Sequence, residues 1–247
     1  MRRSIYVGAA LAAGILSGCA ATETLISKRK LDVQAKTSTA IFVDPVSKEK
    51  RTIYLDVKSG VQEFDRRQFK QFVTEQFTQA NDNGYRIVDD PEAAQFTMVA
   101  YVLNLEKASP TAAEQALNKG YSGGAVVAGA VAGNLLSNTR TGVLGGGLAA
   151  GAAEHLSGAF VKDVTYMLVC DVQIRERAAA GVMVRKDTKV DAKVSDAGAT
   201  RQTVSEVTDQ KEYRTRIVTT ANKANLDLKD AQEVMYKKTA YAMSGFF

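Results

Sequence analysis

The chain has 247 residues, of which 45% are hydrophobic and 24% are charged, and its formal net charge is +5. This length can bury one sizeable core, or form one domain that carries an inserted element. The basic residues are interspersed with acidic ones, which argues against a nucleic-acid-binding protein. The only histidine, His155, excludes most histidine-based metal and catalytic sites.

The N-terminus has the pattern of an export signal. Two arginines precede an apolar run over residues 5–16, which is too short to span a bilayer. The stretch Leu16–Cys19 (Leu-Ser-Gly-Cys) resembles the lipobox of bacterial lipoproteins. That resemblance implies cleavage between Gly18 and Cys19, removal of residues 1–18, and covalent lipid on Cys19. The alternative interpretation is an ordinary signal peptide that happens to contain a cysteine.

Residues 19–39 are polar and are predicted to form a tether between the lipid anchor and the folded domain. Several acyl chains hold a protein on a membrane firmly, so the basic residues 28–30 are not needed for anchoring. Position 20 is Ala, whereas an Asp there commonly retains enteric lipoproteins in the inner membrane. We therefore expect a lipid-anchored protein of the outer membrane. Lipid on Cys19 leaves Cys170 without a partner for an intrachain disulfide.

Residues 40–119 are predicted to form an α/β region. Phe69 and Phe72 fall on the apolar face of its first helix, whereas Phe77 falls beyond the edge of that face. The predicted elements are strands over 40–43 and 51–57, a helix over 61–80, strands over 85–88 and 96–105, and a helix over 111–117.

Residues 120–157 differ sharply in composition from the rest of the chain. Residues 120–151 contain ten of the nineteen glycines, and Arg140 is their only charged residue. Two apolar arms flank a polar turn, and pairs of glycines lie four residues apart, a spacing that lets membrane helices approach closely. The paired glycines are Gly120 and Gly124, Gly129 and Gly133, Gly142 and Gly146, and Gly147 and Gly151. The sequence therefore predicts a membrane-inserted helical hairpin.

Two other interpretations of this segment stay open. It could be a soluble helical hairpin packed between subunits, or a flexible loop. The valines and leucines of the two arms argue against a disordered linker, which would not need them. A single hairpin hides little polar surface, so insertion implies partner hairpins from other subunits.

Residues 158–247 are predicted to complete the same domain as residues 40–119. The alternation over 164–174 places Cys170 on an apolar face, as a buried thiol and not as a nucleophile. The other predicted elements are a hairpin partner of that strand over 182–194, a solvent-facing extended strand over 203–219, and a helix over 227–243. The fold class is therefore α+β, a mixed α/β domain with long antiparallel strands and an inserted Gly/Ala-rich helical hairpin.

Short sequence blocks along nearly the whole chain, together with the lipobox, resemble one known family. These blocks are Lys30-Leu31-x-Val33, Gly84-Tyr85-x-x-Val88, Asn118-Lys119-Gly120-Tyr121, Asp163-Val164, Asp171-Val172-Gln173-Ile174-x-Glu176-Arg177, Tyr213-Arg214-Thr215-Arg216-Ile217-Val218 and Ala221-Asn222-Lys223-x-Asn225-Leu226. The chain resembles the TraT family, the complement-resistance and surface-exclusion lipoproteins of conjugative plasmids.

The resemblance implies a homo-oligomeric, surface-exposed outer-membrane lipoprotein of the recipient cell. Such a protein reduces DNA transfer from related donors, with the conjugation pilus or outer-membrane components of the donor cell as partners, and in some hosts it interferes with complement. The family has no established active site, cofactor or metal, so only the lipidated Cys19 is carried over. We expect exclusion specificity in the turn between the arms, which consists of Ser137, Asn138, Thr139, Arg140 and Thr141.

Two other functions compete with surface exclusion. An oligomeric envelope pore or secretion-associated lipoprotein, built from the glycine-rich hairpins, is the alternative. An enzyme is disfavoured because the chain shows no Ser-His-Asp spacing, no HExxH motif and no P-loop.

Overall fold

A computed structural model describes residues 30–79, 84–122, 162–179, 181–194 and 198–247. They form a six-stranded sheet, three helices and a separate two-stranded ribbon, which confirms the mixed α+β class. The elements are β1 (Asp32–Thr37), a 3-10 turn (Lys48–Lys50), β2 (Thr52–Ser59), α1 (Arg66–Gln79), β3 (Arg86–Val88), β4 (Phe96–Lys107), α2 (Pro110–Asn118), β5 (Asp163–Arg177), β6 (Val184–Val194), β7 (Gly198–Thr208), β8 (Gln210–Ala224) and α3 (Leu228–Ser244).

The main sheet has the order β1-β8-β5-β4-β2-β3. Its antiparallel pairs are β1/β8, β8/β5 and β5/β4, and its parallel pairs are β4/β2 and β2/β3. Strand β5 pairs with β8 along all 15 of its residues, and with β4 along most of them. Because β5 lies between two long strands, the side chains on both of its faces are largely buried.

The helix-covered face of the sheet is the one on which α1 and α3 pack. Leu168, Cys170 and Val172 of β5 lie on this face and are fully buried. Tyr236 of α3 forms edge-on ring contacts there with Phe64 and Phe69, at centroid distances of 5.0 and 5.3 Å. This layer is the main hydrophobic core of the domain.

Helix α1 directs more of its side chains into the core than the sequence pattern indicated. Phe69, Val73 and Phe77 lie four residues apart and are all buried. The prediction that Phe77 lies beyond the apolar face is therefore wrong. Its ring packs against the C-terminal Phe247 at 5.6 Å, so an aromatic residue remote in sequence widens the buried face of the helix.

The second face of the sheet is covered in part by α2. Ala113 and Ala116 of the helix pack on Met167 and Val169 of β5 and on Val218 of β8. This apolar cluster is much smaller than the main core. The rest of the second face carries polar and charged side chains, which form the site described below.

Two expectations for the N-terminal part of the chain are wrong. Residues 32–37, predicted as part of the tether, form edge strand β1, which pairs with β8 and places Val33 and Ala35 against the core. Residues 40–43, predicted as a strand, do not form one. There the backbone N–H of Val43 bonds to the C=O of Phe246, and Phe42 is 73% exposed, because the chain passes the end of α3 and does not follow a strand edge.

Two expectations for the C-terminal half are also wrong. Residues 184–194 do not pair with the strand before them, because β4 and β8 already occupy both sides of β5, and they pair with β7 instead. The extended stretch predicted over 203–219 is divided at Asp209 between β7 and β8. Strand β8 is not solvent-facing, since residues 215–219 are buried and Arg216 has no exposed surface.

The glycine-rich hairpin lies almost entirely outside the described residues, as does the lipobox. Among the residues that the structure describes, no helix combines the length and the hydrophobicity that a membrane crossing requires.

Candidate functional site

A buried ion pair occupies the second face of the sheet. Asp171 of β5 and Arg216 of β8 are direct cross-strand neighbours, and neither side chain has exposed surface. The guanidinium binds the carboxylate through two hydrogen bonds, Nε to Oδ1 at 2.6 Å and Nη2 to Oδ2 at 3.0 Å. This bidentate geometry gives the strongest and most directional form of the Arg–carboxylate contact.

The ion pair also binds the segment that follows α2. Arg216 donates to the backbone C=O of Ala116 at 3.1 Å and to the Ser122 hydroxyl at 2.7 Å. The backbone N–H and the hydroxyl of Ser122 both donate to Oδ2 of Asp171, at 2.7 and 3.1 Å. Buried charges are tolerated when they are paired and hydrogen-bonded, and both charges meet that condition here. The pair therefore fixes the chain at the start of the glycine-rich segment.

Helix α2 brings this segment to the ion pair. The Ser109 hydroxyl accepts the backbone N–H of Ala112, and Pro110 occupies the first turn, so the helix start is well defined. Gly120 ends the helix with φ +64°, and its N–H bonds to the C=O of Leu117. Gly120, which the sequence places among the hairpin glycines, has this turn conformation just before Ser122, and its predicted role in hairpin packing stays a prediction.

Tyr121 is half-buried and Lys119 is exposed, and the pKa of each is shifted by its surroundings. Burial raises the pKa of Tyr121 to about 12, against the opposing effect of Arg214, whose guanidinium carbon lies 5.4 Å from the centre of the ring. Burial, and secondly the charge of Arg216, lower the pKa of Lys119. The shift of the Tyr121 pKa has the direction expected for a group that loses part of its contact with solvent.

The chain returns to the described part at Lys162, where a second set of contacts holds it. Asn225, which has φ 53°, accepts the N–H of Lys162 on its side-chain oxygen at 2.9 Å and donates its own N–H to the C=O of Lys162 at 2.7 Å. The Asn222 amide donates to Asp163 at 2.6 Å and to Thr165 at 2.8 Å. Both ends of the glycine-rich segment are therefore attached to the β5/β8 pair.

A third polar cluster lies on the second face near the ribbon. The Glu212 carboxylate accepts hydrogen bonds from Gln173 and Arg214, and its Oε2 lies 2.5 Å from the Lys186 ammonium group. Burial opposes ionisation of this carboxyl, but the bonds from Lys186 and Arg214 outweigh burial and hold the pKa of Glu212 below its usual range. This cluster attaches the base of the ribbon to the main sheet.

A polar cleft of about 330 Å³ opens beside the buried ion pair, between the end of β1 and the end of α2. Its lining consists of Thr37, Ser38, Thr39, Leu117, Asn118, Gly120 and Tyr121. Hydroxyls and an amide supply most of the polar lining of the cleft, and the buried charges of Asp171 and Arg216 are paired with each other. The arrangement is suited to holding chain segments in place.

The residues singled out from the sequence have different outcomes. Cys170 is fully buried, as predicted, and burial and the charge of Asp171 raise the pKa of its thiol, so it is unreactive. Gly120 is described, and the other sites lie outside the described residues: Cys19, Gly124, Gly129, Gly133, Gly142, Gly146, Gly147, Gly151 and the turn Ser137–Thr141.

Sequence reasoning missed the Asp171–Arg216 pair. A signal was available, because Asp171 lies between Cys170 and Val172 in the middle of a long apolar strand, where a buried carboxylate needs a counter-charge. In the described ranges, no group of three or more His, Cys, Asp or Glu side chains is placed to hold a metal ion.

A family model and individual relatives identify the same family for this chain. Residues 30–247 match the family described as "Enterobacterial TraT complement resistance protein". A TraT complement resistance protein of Escherichia coli is 33% identical over 246 residues, which cover 99% of this chain and 98% of that protein. Another, from strain K12, is 35% identical over 231 residues, which cover 93% of this chain and 91% of that protein.

Among solved structures, this chain is similar to the PelC dodecamer from Paraburkholderia phytofirmans. The alignment covers 87% of this chain and 98% of that chain, with 5% identity and a TM-score of 0.30. This score is too low to support an argument about fold or function.

Proposed function

Because this chain belongs to the family of TraT complement resistance proteins, we propose that it is a lipid-anchored, surface-exposed outer-membrane protein that protects its host cell from complement and from conjugative DNA transfer by related donors. The observation that carries the proposal is the family match over residues 30–247, which includes the whole of the described domain. The proposed partners are the outer membrane, further copies of the chain, and the pilus or outer-membrane components of the donor cell.

The proposed anchor is lipid on Cys19, after cleavage between Gly18 and Cys19. Its support is the Leu-Ser-Gly-Cys sequence at the end of a basic and apolar N-terminus. The chain provides a matched control, because Cys170 is its only other cysteine and is buried. Radiolabelled palmitate should be incorporated into the wild type and Cys170→Ala, and not into Cys19→Ala. Label that persists in Cys19→Ala would disprove this anchor.

The protein is proposed to act as a barrier and binding protein, and not as an enzyme. The charged groups at the candidate site support this proposal, because Asp171, Arg216 and Glu212 are engaged in contacts that hold chain segments together. The glycine-rich segment is proposed to insert into the membrane with segments from other copies, an arrangement that its four-residue glycine spacing favours.

The deciding experiment is a mating assay combined with a serum-survival assay. Plasmid-free recipients would express the wild type, Cys19→Ala or Cys170→Ala, with fractionation to locate each protein. We expect the wild type and Cys170→Ala to reduce transfer from some donors in a panel, and Cys19→Ala to lose that effect. Normal transfer from every donor, with the wild type present in the outer membrane, would reject exclusion. Unchanged serum survival would reject complement resistance.

Exclusion specificity is proposed to lie in the turn Ser137–Thr141. It is the polar interruption between the two apolar arms, so it is the part of the segment best suited to exposure at the surface. Exchange of these five residues with those of a family member that excludes different donors should change which donors are excluded. Unchanged specificity, with the protein present at normal levels, would contradict this assignment.

A further inference from the structure

Part of the second face of the sheet lies beyond α2. That helix packs near the start of β5, whereas the alternation of β5 places Gln173 and Arg175 further along the face that carries Asp171. In the register of the sheet, Arg175 lies beside Thr97 of β4, and Thr97 lies beside Tyr54 of β2. We name the half-buried side chains of this region the tyrosine–arginine surface: Tyr54, Thr97, Tyr101, Gln173 and Arg175.

Arg175 is the charged residue of this surface. Its Nε is buried and has no hydrogen-bond partner, and none of the ion pairs between described residues includes its guanidinium. A buried donor and a half-buried charge are both unfavourable when they are unpaired. The side chain as a whole is half-buried, so solvent reaches the outer edge of the guanidinium.

The carboxylates nearest to Arg175 in the register are bound by other groups. Glu212, its partner on β8, belongs to the third polar cluster and is held by the side chains of that cluster. Asp56 of β2 lies 3.3 Å from the Lys58 ammonium group. A buried polar group that the surrounding sheet leaves unsatisfied indicates a ligand, an ion or a bound water at that place.

The chemistry of the guanidinium indicates which ligand group would satisfy it. Its planar fork of donors matches a carboxylate, which it binds through two parallel hydrogen bonds. A single unpaired positive charge balances the single charge of a carboxylate, whereas a phosphate monoester carries nearly two charges at neutral pH. Because Arg175 is half-buried, its attraction for an anion is less weakened by water than that of an exposed arginine.

The groups around Arg175 are suited to a sugar ring. Tyr54 and Tyr101 each combine an apolar ring with a polar hydroxyl. Thr97 contributes a hydroxyl that can donate or accept, and Gln173 contributes an amide. A pyranose ring has the complementary composition, with apolar C–H faces that pack on aromatic rings and hydroxyls that donate and accept at its edge.

The size of the surface favours a small ligand. From β5 to β2 it spans two strand spacings, about 10 Å, and the four residues from the level of Tyr101 to that of Arg175 span about 13 Å. A patch of this size is far smaller than the about 800 Å² that each partner contributes to a stable protein–protein interface. It matches a short oligosaccharide better than a folded protein.

We propose that the tyrosine–arginine surface binds a carboxylate-bearing saccharide of a cell-surface polysaccharide, with the carboxylate on Arg175 and the sugar rings on Tyr54 and Tyr101. This inference goes beyond the proposed exclusion and complement functions. Its test uses purified protein, so its failure leaves those functions unaffected.

A matched pair of ligands tests the role of the charge without any substitution in the protein. Isothermal titration calorimetry would compare trigalacturonate with its methyl ester, using the full-length, lipidated chain in detergent. Trigalacturonate should bind saturably, and the ester should bind at least tenfold more weakly, because it keeps the sugar rings and loses the carboxylate charges. Equal affinity for the two, or no binding of trigalacturonate, would overturn the proposal.

A variant series assigns the binding to residues. Arg175→Gln should weaken trigalacturonate binding about tenfold or more, and Arg175→Lys should have a smaller effect because it keeps the charge and loses the fork. Tyr54→Ala should weaken binding at least threefold. Arg67→Gln, an equal loss of charge at an exposed position on α1, is the matched control and should bind normally. An equal loss in Arg67→Gln would indicate non-specific attraction and would overturn the site.

Two further measurements separate a saccharide from other occupants. Triglutamate carries similar charges without sugar rings, so it should bind more weakly than trigalacturonate; tighter binding of triglutamate would overturn the saccharide. Mass photometry should give the same assembly size for the wild type and Arg175→Gln. A smaller assembly in the variant would assign the surface to a contact between subunits and would also overturn the proposal.

Discussion

The two faces of the central sheet are stabilised by different interactions. On the helix-covered face, α1 and α3 bury aliphatic and aromatic side chains, and only the amount and shape of buried surface decide the packing. On the second face, a short helix covers a small apolar cluster. Beside that cluster, the buried ion pair of Asp171 and Arg216 binds the chain segment that follows the helix. Apolar packing gives the domain its stability, whereas the ion pair selects which chain segment occupies the second face.

The largest loss of unfolding free energy is expected when one member of the ion pair on the second face is removed. Asp171→Ala leaves the Arg216 guanidinium buried without its counter-charge, so we expect a loss of about 3–5 kcal/mol in unfolding free energy. Chemical denaturation of the purified protein measures this loss. Asp171→Leu combined with Arg216→Met removes both charges and should recover most of the stability. A single variant as stable as the wild type would show that the pair is not buried.

Truncation of a side chain on the helix-covered face should lower the unfolding free energy by nearly as much. No second substitution that removes a partner charge can restore this loss. Leu168→Ala creates a cavity in the main core, with an expected loss of about 2–5 kcal/mol in unfolding free energy. Leu168→Met keeps the volume, and its cost should stay below about 1.5 kcal/mol. The same denaturation series measures both variants. Equal costs for the two would contradict tight packing on this face.

Alkaline titration compares the faces through one tyrosine on each, the buried Tyr236 and the half-buried Tyr121. Burial raises the pKa to about 12 both for Tyr236 on the helix-covered face and for Tyr121 on the second face. A raised folded-state pKa means that the folded protein holds these protons more tightly than the unfolded chain does. Stability should therefore be independent of these groups below pH 10 and should fall between pH 10 and 12.

The measurement is the denaturation midpoint across that pH range. Tyr236→Phe and Tyr121→Phe should each reduce the slope of the decline, and the double variant should reduce it further. An unchanged slope in either variant would indicate that the corresponding tyrosine is solvated in the folded protein.

The smallest losses of unfolding free energy are expected at the helix caps. The loss should be similar for α3 on the helix-covered face and for α2 on the second face. Asp227 caps α3 by accepting the N–H of Asp230 at 2.8 Å, and Ser109 caps α2 by accepting the N–H of Ala112 at 3.1 Å. Replacing either residue by Ala should cost about 1 kcal/mol. Urea denaturation can resolve such a difference. A much larger loss for Ser109→Ala would mean that α2 fixes the ion pair as well as its own small cluster.

The main core was predictable from the sequence because its signals are local. The apolar alternation of β5 identifies the strand and its buried side, and Cys170 lies where the alternation places it. The helical spacing of α3 identifies that element. Strand β1 was missed since only Val33 and Ala35 mark it, in a stretch that otherwise has the composition of a tether. Its pairing with β8 depends on residues nearly two hundred positions away.

The second face was less predictable, for a physical reason. The alternation of β8 puts Arg216 on its polar side, which is correct, but a polar side can face solvent or a buried counter-charge. The choice is made by the register of β8 against β5 and by the residues after α2, which cover the pair. Neither of these is encoded in the strand itself, so the sequence of β8 alone predicted exposure.

The two attachment points of the glycine-rich segment have an evolutionary consequence. Ser122 is fixed at Asp171 and Lys162 is fixed at Asn225, so the geometry of both ends is set by the domain and not by what lies between them. A substitution between these two points therefore leaves those contacts of the domain in place. The segment and the domain can change separately during evolution, because neither attachment uses a side chain from the stretch between them.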